Sequence, residues 1–180
     1  MKRFSRGTRF GIVVGTALCS LVLAAVLVFL ALSHSSPPPS PSDVIESYLD
    51  KANLHDAPGM LNCTIFRFES QENLTKEVDS IREVPWFSEV SFNLTEVGIV
   101  NSSQMNDLDR MLAGYDIQSK SSALSINITD YCLASFRVTR TCIDSSLVPI
   151  LGLTKVLSIN IYCYKVGSSW YLSDLPDIYT

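Results

Sequence analysis

Cys63, Cys132, Cys142 and Cys163 are the side chains of this chain best suited to covalent chemistry. Their number is even, and no two are spaced as a CxxC pair. In an oxidising compartment that pattern predicts two disulfides, with three pairings open. Zinc is the competing use of four cysteines. Structural zinc sites draw ligands in close pairs, whereas His34 and His55 are the chain's only histidines and flank no cysteine pair. Disulfides are therefore expected, with no metal site and no cofactor.

Acid–base chemistry needs a carboxylate, histidine or tyrosine held at a tuned pKa. The candidates are Asp130, Tyr131, Tyr162, Tyr164 and His55 beside Asp56. Each has a plainer role. Asp130-Tyr131 reads as a turn into a strand, Tyr162 and Tyr164 share one face of a strand, and His55 lies in a turn. No G-x-S-x-G, H-E-x-x-H, P-loop or G-x-G-x-x-G motif occurs. No catalytic residue is assigned, and enzyme activity is not the expected reading. The Trp86-Phe87 pair is read as a core contact where helix gives way to strand; an exposed anchor for a partner is the other possibility.

The redox environment follows from topology. Residues 10–32 form an uncharged run of 23, mostly Val, Leu, Ala, Ile and Phe. As a helix rising ~1.5 Å per residue it measures roughly 35 Å, enough to cross the ~30 Å hydrocarbon core of a bilayer. Lys2, Arg3, Arg6 and Arg9 precede it, and no acid occurs in the first 42 residues. The positive-inside rule then keeps residues 1–9 in the cytoplasm as a basic leader. The C-terminal domain lies outside the cell membrane on a single-pass signal anchor. A cleaved signal peptide is the alternative, with Ala31-Leu32-Ser33 as its cleavage signal. Such peptides have shorter apolar cores, ~7–15 residues, so retention is expected. Cys19 is then a membrane-buried apolar side chain. Residues 33–41 are a Pro/Ser-rich stalk, of which the eight from His34 to Pro41 reach at most ~25 Å at ~3.1 Å each.

Residues 42–180 suit one extracytoplasmic domain with one core. They hold all 18 acids against 10 of the 14 bases, a net of −8, with no Lys/Arg cluster. A nucleic-acid partner is not expected. Five N-x-S/T sequons start at Asn62, Asn73, Asn93, Asn101 and Asn127; a eukaryotic secretory pathway would place glycans there.

Ser40-Pro41-Ser42-Asp43 reads as a helix start: Ser40 caps, Pro41 suits the first helical position, and Asp43 sits at the positive end. Val44, Ile45, Tyr48, Leu49 and Ala52 form one apolar stripe, ending near Leu54 before a turn-like Asp56-Ala57-Pro58-Gly59. A short apolar piece covers 60–68, and a second helix covers 75–84, stopped by Pro85. Residues 90–94 alternate as a strand, and 97–100 continue it or begin the next. A short polar helix runs from Ser103 through Met105, Leu108, Met111 and Leu112, with Gly114 placed to end it. Leu124, Ile126 and Ile128 alternate, as do Cys132, Ala134, Phe136 and Val138. Residues 156–166 are β-branched and aromatic, and Gly167-Ser168-Ser169 turns into a last strand, Trp170-Tyr171-Leu172. Helices followed by an antiparallel sheet make an α+β fold with helices on one sheet face.

This outline resembles the cone-shaped α+β fold of the nuclear transport factor and ketosteroid isomerase superfamily, particularly its small membrane-tethered envelope members. The resemblance rests on Pro41, Asp43, Tyr48, Leu49, Asp56 and Ala57, and on Gly167, Trp170, Tyr171 and Leu172. Two residues separate Gly167 from Trp170, where the family often has one. The resemblance implies N-terminal helices packed on a curved, mainly antiparallel sheet. It also implies a choice of functions. The isomerase branch uses a buried carboxylate base with a tyrosine and a protonated acid, and no residue here matches that motif. The expected function is a membrane-anchored extracytoplasmic binding module without catalytic activity. It would present its cone mouth or its sheet to a protein, peptide or small ligand. The alternatives are an isomerase- or dehydratase-like enzyme using the cone pocket, and a eukaryotic or viral type II membrane glycoprotein. An interior filled by Leu, Ile and Phe would argue against the enzyme.

Two finer expectations concern packing. If residues 131–141 run antiparallel to 154–165 around a loop near Val148, Cys132 falls opposite Cys163, leaving Cys63 for Cys142. Trp170 and Leu172 should pack on the first helix, against Tyr48 and Leu49.

Overall fold

The first helix of the computed structural model, α1 (Pro41–Asn53), starts where its capping residues dictate. Ser40 Oγ accepts the Asp43 N–H at 3.2 Å, and Asp43 returns the bond from the Ser40 N–H at 2.7 Å. The apolar stripe faces inward as expected: Val44, Ile45, Tyr48, Leu49 and Ala52 are all buried. The structure describes residues 40–84 and 86–179. The expected transmembrane anchor and nearly all of the stalk lie outside the described residues. Among the described residues, no helix is long and apolar enough to cross a membrane.

The remaining helices correct the sequence reading. The expected turn at Asp56–Gly59 is the start of α2 (Ala57–Asn62), with Asp56 as its cap, accepting the Gly59 N–H at 3.0 Å. A Cβ at Gly59 would sit 2.2 Å from Asp56 Oδ2, so a side chain there would displace the capping carboxylate. A 3-10 turn, Ile65–Phe68, leads to α3 (Gln71–Arg82), which begins four residues earlier than expected because Ser70 caps it. The helix expected to end at Gly114 continues to Leu124 as α4 (Asp107–Leu124). A mid-helix glycine costs only ~1 kcal/mol against alanine. The Asn106 cap and two acids in the first turn help to offset that cost. The stop is Ser125, in the left-handed region at φ 54°. Leu124 and Ile126 are therefore not part of a strand.

Four antiparallel strands form one sheet in the order β1 (Val90–Asn101), β2 (Ile128–Cys142), β3 (Thr154–Val166), β4 (Ser169–Leu172), with a short helix α5 (Val148–Leu151) between β2 and β3. Residues 97–100 continue β1. A bulge between Leu94 and Glu96 moves the apolar positions from even to odd numbers. Val90, Phe92 and Leu94 thus stay on the same face as Val97 and Ile99. On β2 the alternation of Cys132, Ala134, Phe136 and Val138 is buried as expected. The strand starts before Asp130, so Asp130-Tyr131 lies within the strand, not in a turn.

That face carries the main core, covered by α1, α2 and α3 and by Ile178 and Tyr179 of the C-terminal tail. The other face is not bare. Ile117 and Leu124 of α4 pack there with Ile65, Tyr164 and Tyr171. Helices therefore flank both sheet faces, because α4 is long enough to reach across the second one. Leu172 is fully buried in the main core with Tyr48 and Leu49, whereas Trp170 is only half-buried at its margin.

Candidate functional site

β4 has four residues and pairs only with 163–166 of β3, which has thirteen. Most of β3 is therefore a sheet edge. The direction of its backbone groups follows from two bonds. Tyr162 C=O accepts the Ser173 N–H at 2.8 Å on the outer side. Lys165 C=O accepts Thr129 Oγ1 at 3.3 Å on the β2 side. Antiparallel strands send both backbone groups of alternate residues the same way. Val156, Ser158 and Asn160 thus present their N–H and C=O outward.

After Ser173 the tail leaves the strand line. Pro176 has no N–H to offer, and the Ile178 N–H closes back on Pro176 O at 2.9 Å. Tyr179 C=O is then fixed by Trp86 Nε1 at 2.7 Å and Arg140 Nη1 at 2.6 Å. An open groove of about 530 Å³ separates the β3 edge from the tail. Leu157, Ser158 and Asn160 line it from the strand; Asp174, Leu175 and Asp177 line it from the tail. Both aspartates are exposed.

The acid–base candidates gather elsewhere. Tyr162 and Tyr164 share a face, as expected, and stack at 6.3 Å with rings 7° from parallel. Tyr164 is fully buried and donates to Asp116 of α4. Lys120 Nζ lies 3.8 Å from the same carboxylate and also donates to Ser173 O. Burial, then the bond to Asp116, pushes the Tyr164 hydroxyl well above its usual range. Burial likewise raises Tyr162, whose hydroxyl donates to Asp109 O at 3.3 Å. A phenol raised in this way is neither base nor nucleophile near neutral pH; the cluster fastens α4 to the sheet. Asp116 and Lys120 were not singled out in the sequence, and only their i, i+4 spacing marks them as a pair.

Asp130 is exposed, and His55 stands in its turn at φ 54°, edge-on to Phe87 at 5.8 Å. Phe87 is buried and Trp86 packs beside it, as the core reading of that pair requires. The helix-covered face of the sheet is filled by Ile45, Leu49, Phe92, Phe136, Leu172 and their neighbours. None of the 18 acids is buried. Among the described residues, no cluster of His, Cys, Asp and Glu could hold a metal ion. A second opening, about 300 Å³, is mostly apolar and lined by Tyr48, Met60, Ile81, Trp86 and Tyr179. Leu108, Met111, Leu112 and Tyr115 form an exposed stripe along α4.

All four domain cysteines are buried free thiols in this structure. The β2–β3 register places Cys132 opposite Cys163, as read from the sequence. The two thiols shift each other: the Cys132 thiol and burial hold Cys163 far above the usual range, and the Cys163 thiol lowers Cys132. The pairing of Cys63 with Cys142 is corrected. Cys63 C=O accepts the Leu172 N–H, at the Cys163 end of the sheet, and its thiol meets Ser47 Oγ and Gly59 O. Cys142 is ten residues along β2 from Cys132, roughly 33 Å at ~3.3 Å per residue, and its thiol meets Asp144 O. A disulfide needs its Cα atoms within ~7 Å.

The five sequon asparagines, Asn62, Asn73, Asn93, Asn101 and Asn127, are all exposed. No family model and no curated protein matches the chain. Among solved structures, the chain is similar to a "putative polyketide cyclase" of Xanthomonas campestris pv. campestris. The two are 11% identical, the match covers 74% of this chain and 88% of that one, and the TM-score is 0.32.

Proposed function

We propose that this chain is a non-catalytic binding module of the cone superfamily, held outside the cell membrane by a single-pass anchor with its N-terminus in the cytoplasm. One observation carries the non-catalytic part: the helix-covered side of the sheet is packed with apolar side chains, and every carboxylate is at least partly exposed. An isomerase-type base needs a buried carboxylate beside its oxyanion donors. The nearest approach, Asp116 with Tyr164, lies on the opposite face and has Lys120 as counter-ion. The anchor rests on the length of the 10–32 run and its four flanking bases. In the oxidising space this implies, Cys132 and Cys163 form a disulfide.

The test uses full-length chain in intact membranes. A photo-crosslinking residue is placed in turn at Ser158, Leu108 and Glu72, and added protease reports topology. Protection of the leader, digestion of the domain and capture of the same partner from one position only are expected. A mature N-terminus at His34 would overturn the anchor. Capture from no position, or equally from all three, would overturn the binding role.

A further inference from the structure

We propose that the free edge of β3 takes up an extended, basic peptide segment as a fifth strand of the sheet. This deepens the binding-module reading and rests on it. Three observations select this edge and this ligand.

The first is that the edge is unprotected between Lys155 and Tyr162. Sheets blunt their edges with Lys, Pro, bulges or short strands. Residues 156–161 read VLSINI, with no charge, proline or glycine, and their pairing to β2 has no register shift. The other edge, β1, has a bulge, Glu96 and Gly98, and it carries the sequons Asn93 and Asn101. At Phe92 it is also closed by Asn53, whose amide bonds the Phe92 N–H at 2.7 Å and C=O at 2.9 Å. The β3 edge carries no sequon.

The second is shape. Outward N–H and C=O groups at Ser158 and Asn160 face a groove about 530 Å³ in volume, not solvent alone. Residues 157–161 span roughly 17 Å at ~3.4 Å each, a length that pairs with a five-residue strand. Backbone pairing of this kind gives affinity, and the wall gives selectivity.

The third is charge. The wall facing the edge bears Asp174 and Asp177, on a domain whose net charge is −8. A second copy of the chain would bring the same acidic wall against this one, so a Lys- or Arg-bearing segment of another protein fits better.

The probe is a labelled Lys-Val-Lys-Val-Lys-Val peptide, titrated into full-length chain in nanodiscs. Its Glu-Val counterpart and a form N-methylated at alternate backbone nitrogens serve as comparisons. Saturable binding of the Lys-Val peptide is expected, and each comparison peptide should bind at least about tenfold more weakly, as loss of one or two hydrogen bonds or of charge pairing predicts. Ser158→Pro removes one outward N–H and leaves the β2 ladder intact, so it should cost about tenfold at unchanged melting temperature. Combined Asp174→Asn and Asp177→Asn should weaken binding about threefold to tenfold and flatten its salt dependence. If Ser158→Pro destabilises the fold, amide shifts mapped in the wild type decide: movement at Val156, Ser158 and Asn160 supports the site, and movement elsewhere overturns it. Equal binding of all three peptides overturns it too. Concentration-dependent dimerisation abolished by Ser158→Pro overturns it in favour of a second copy. Failure of every peptide arm while photo-crosslinking still captures a partner through another surface removes this site and leaves the binding module standing.

Discussion

Oxidation of the Cys132–Cys163 pair should stabilise the domain strongly, and the size of the effect follows from the register. The two residues face each other across β2 and β3, and the loop they would close holds 32 residues. Chain-entropy closure for that length is about 12 cal/mol/K, or ~3.7 kcal/mol at 25 °C. A domain of this size melts ~3–5 °C higher per kcal/mol, so the bridged form should melt roughly 10–18 °C above the reduced form. The bond forms by loss of two protons and two electrons from the thiols to an oxidant such as glutathione disulfide. Both sulfurs are fully buried once the sheet is complete, so closure must occur while the hairpin is still open. Fragment 40–180 refolded with glutathione disulfide should therefore lose two thiols on titration in denaturant and keep two, those of Cys63 and Cys142. The native folded fragment treated with the same reagent should keep all four. Cys132→Ala and Cys163→Ala should each abolish the difference between oxidised and reduced melts. Four free thiols after oxidative refolding, or a melting temperature indifferent to reductant, would refute the reasoning. A bridge involving Cys63 or Cys142 in peptide mapping would refute the register.

Leu172→Ala should cost ~2–5 kcal/mol, because Leu172 is fully buried in the main core. Trp170→Ala, at a half-buried position, should cost clearly less; a larger loss for Trp170 by thermal melting would contradict this order. Tyr164→Phe removes the hydroxyl that donates to Asp116 and should cost ~1–2 kcal/mol, with amide exchange accelerating in α4 before α1. At the start of α1, Ser40→Ala should cost ~1 kcal/mol in urea unfolding. Acceptance of the Ser40 N–H holds the Asp43 carboxyl below its usual value. That contribution is present above the unfolded pKa of ~3.9 and is lost as pH falls through the lower native one. First-turn amides of α1 should therefore exchange faster in acid, and Asp43→Asn should remove the pH dependence.

What was legible in the sequence was whatever local chemistry controls. Ser40, Pro41 and Asp43 start α1 because capping is decided within four residues. The Gly167 turn, at φ 62°, joins β3 to β4 because a two-residue hairpin demands it. Strand alternation around Cys132 was readable, and with it the opposition to Cys163. What failed was decided by competition between local signals. Gly114 carries a stop signal, but Asn106 and the acidic first turn outweigh it. Ala57-Pro58-Gly59 looks like a turn, yet Pro58 and the Asp56 cap make it a helix start. The groove was invisible, because it depends on where the tail goes after Ser173, and that is set by contacts with residues 39 and 93 positions away in the chain.

Arg140 shows how such a distant contact arises. It occupies an inward position on β2, in the same alternation as Phe136 and Val138, where the pattern calls for an apolar side chain. A buried guanidinium is expensive unless its donors are satisfied. Here they go to backbone carbonyls: Nη1 to Tyr179 O at 2.6 Å, and Nη2 to Leu151 O at 3.4 Å. One carbonyl belongs to the tail that walls the groove, and the other to the segment that leads into β3. The same side chain thus ties down both borders of the open edge. Ile178, next to the held Tyr179, is buried, and β4 ends at Leu172. The break in apolar alternation at residue 140 is local in sequence, and the contacts it makes lie at both borders of the open edge.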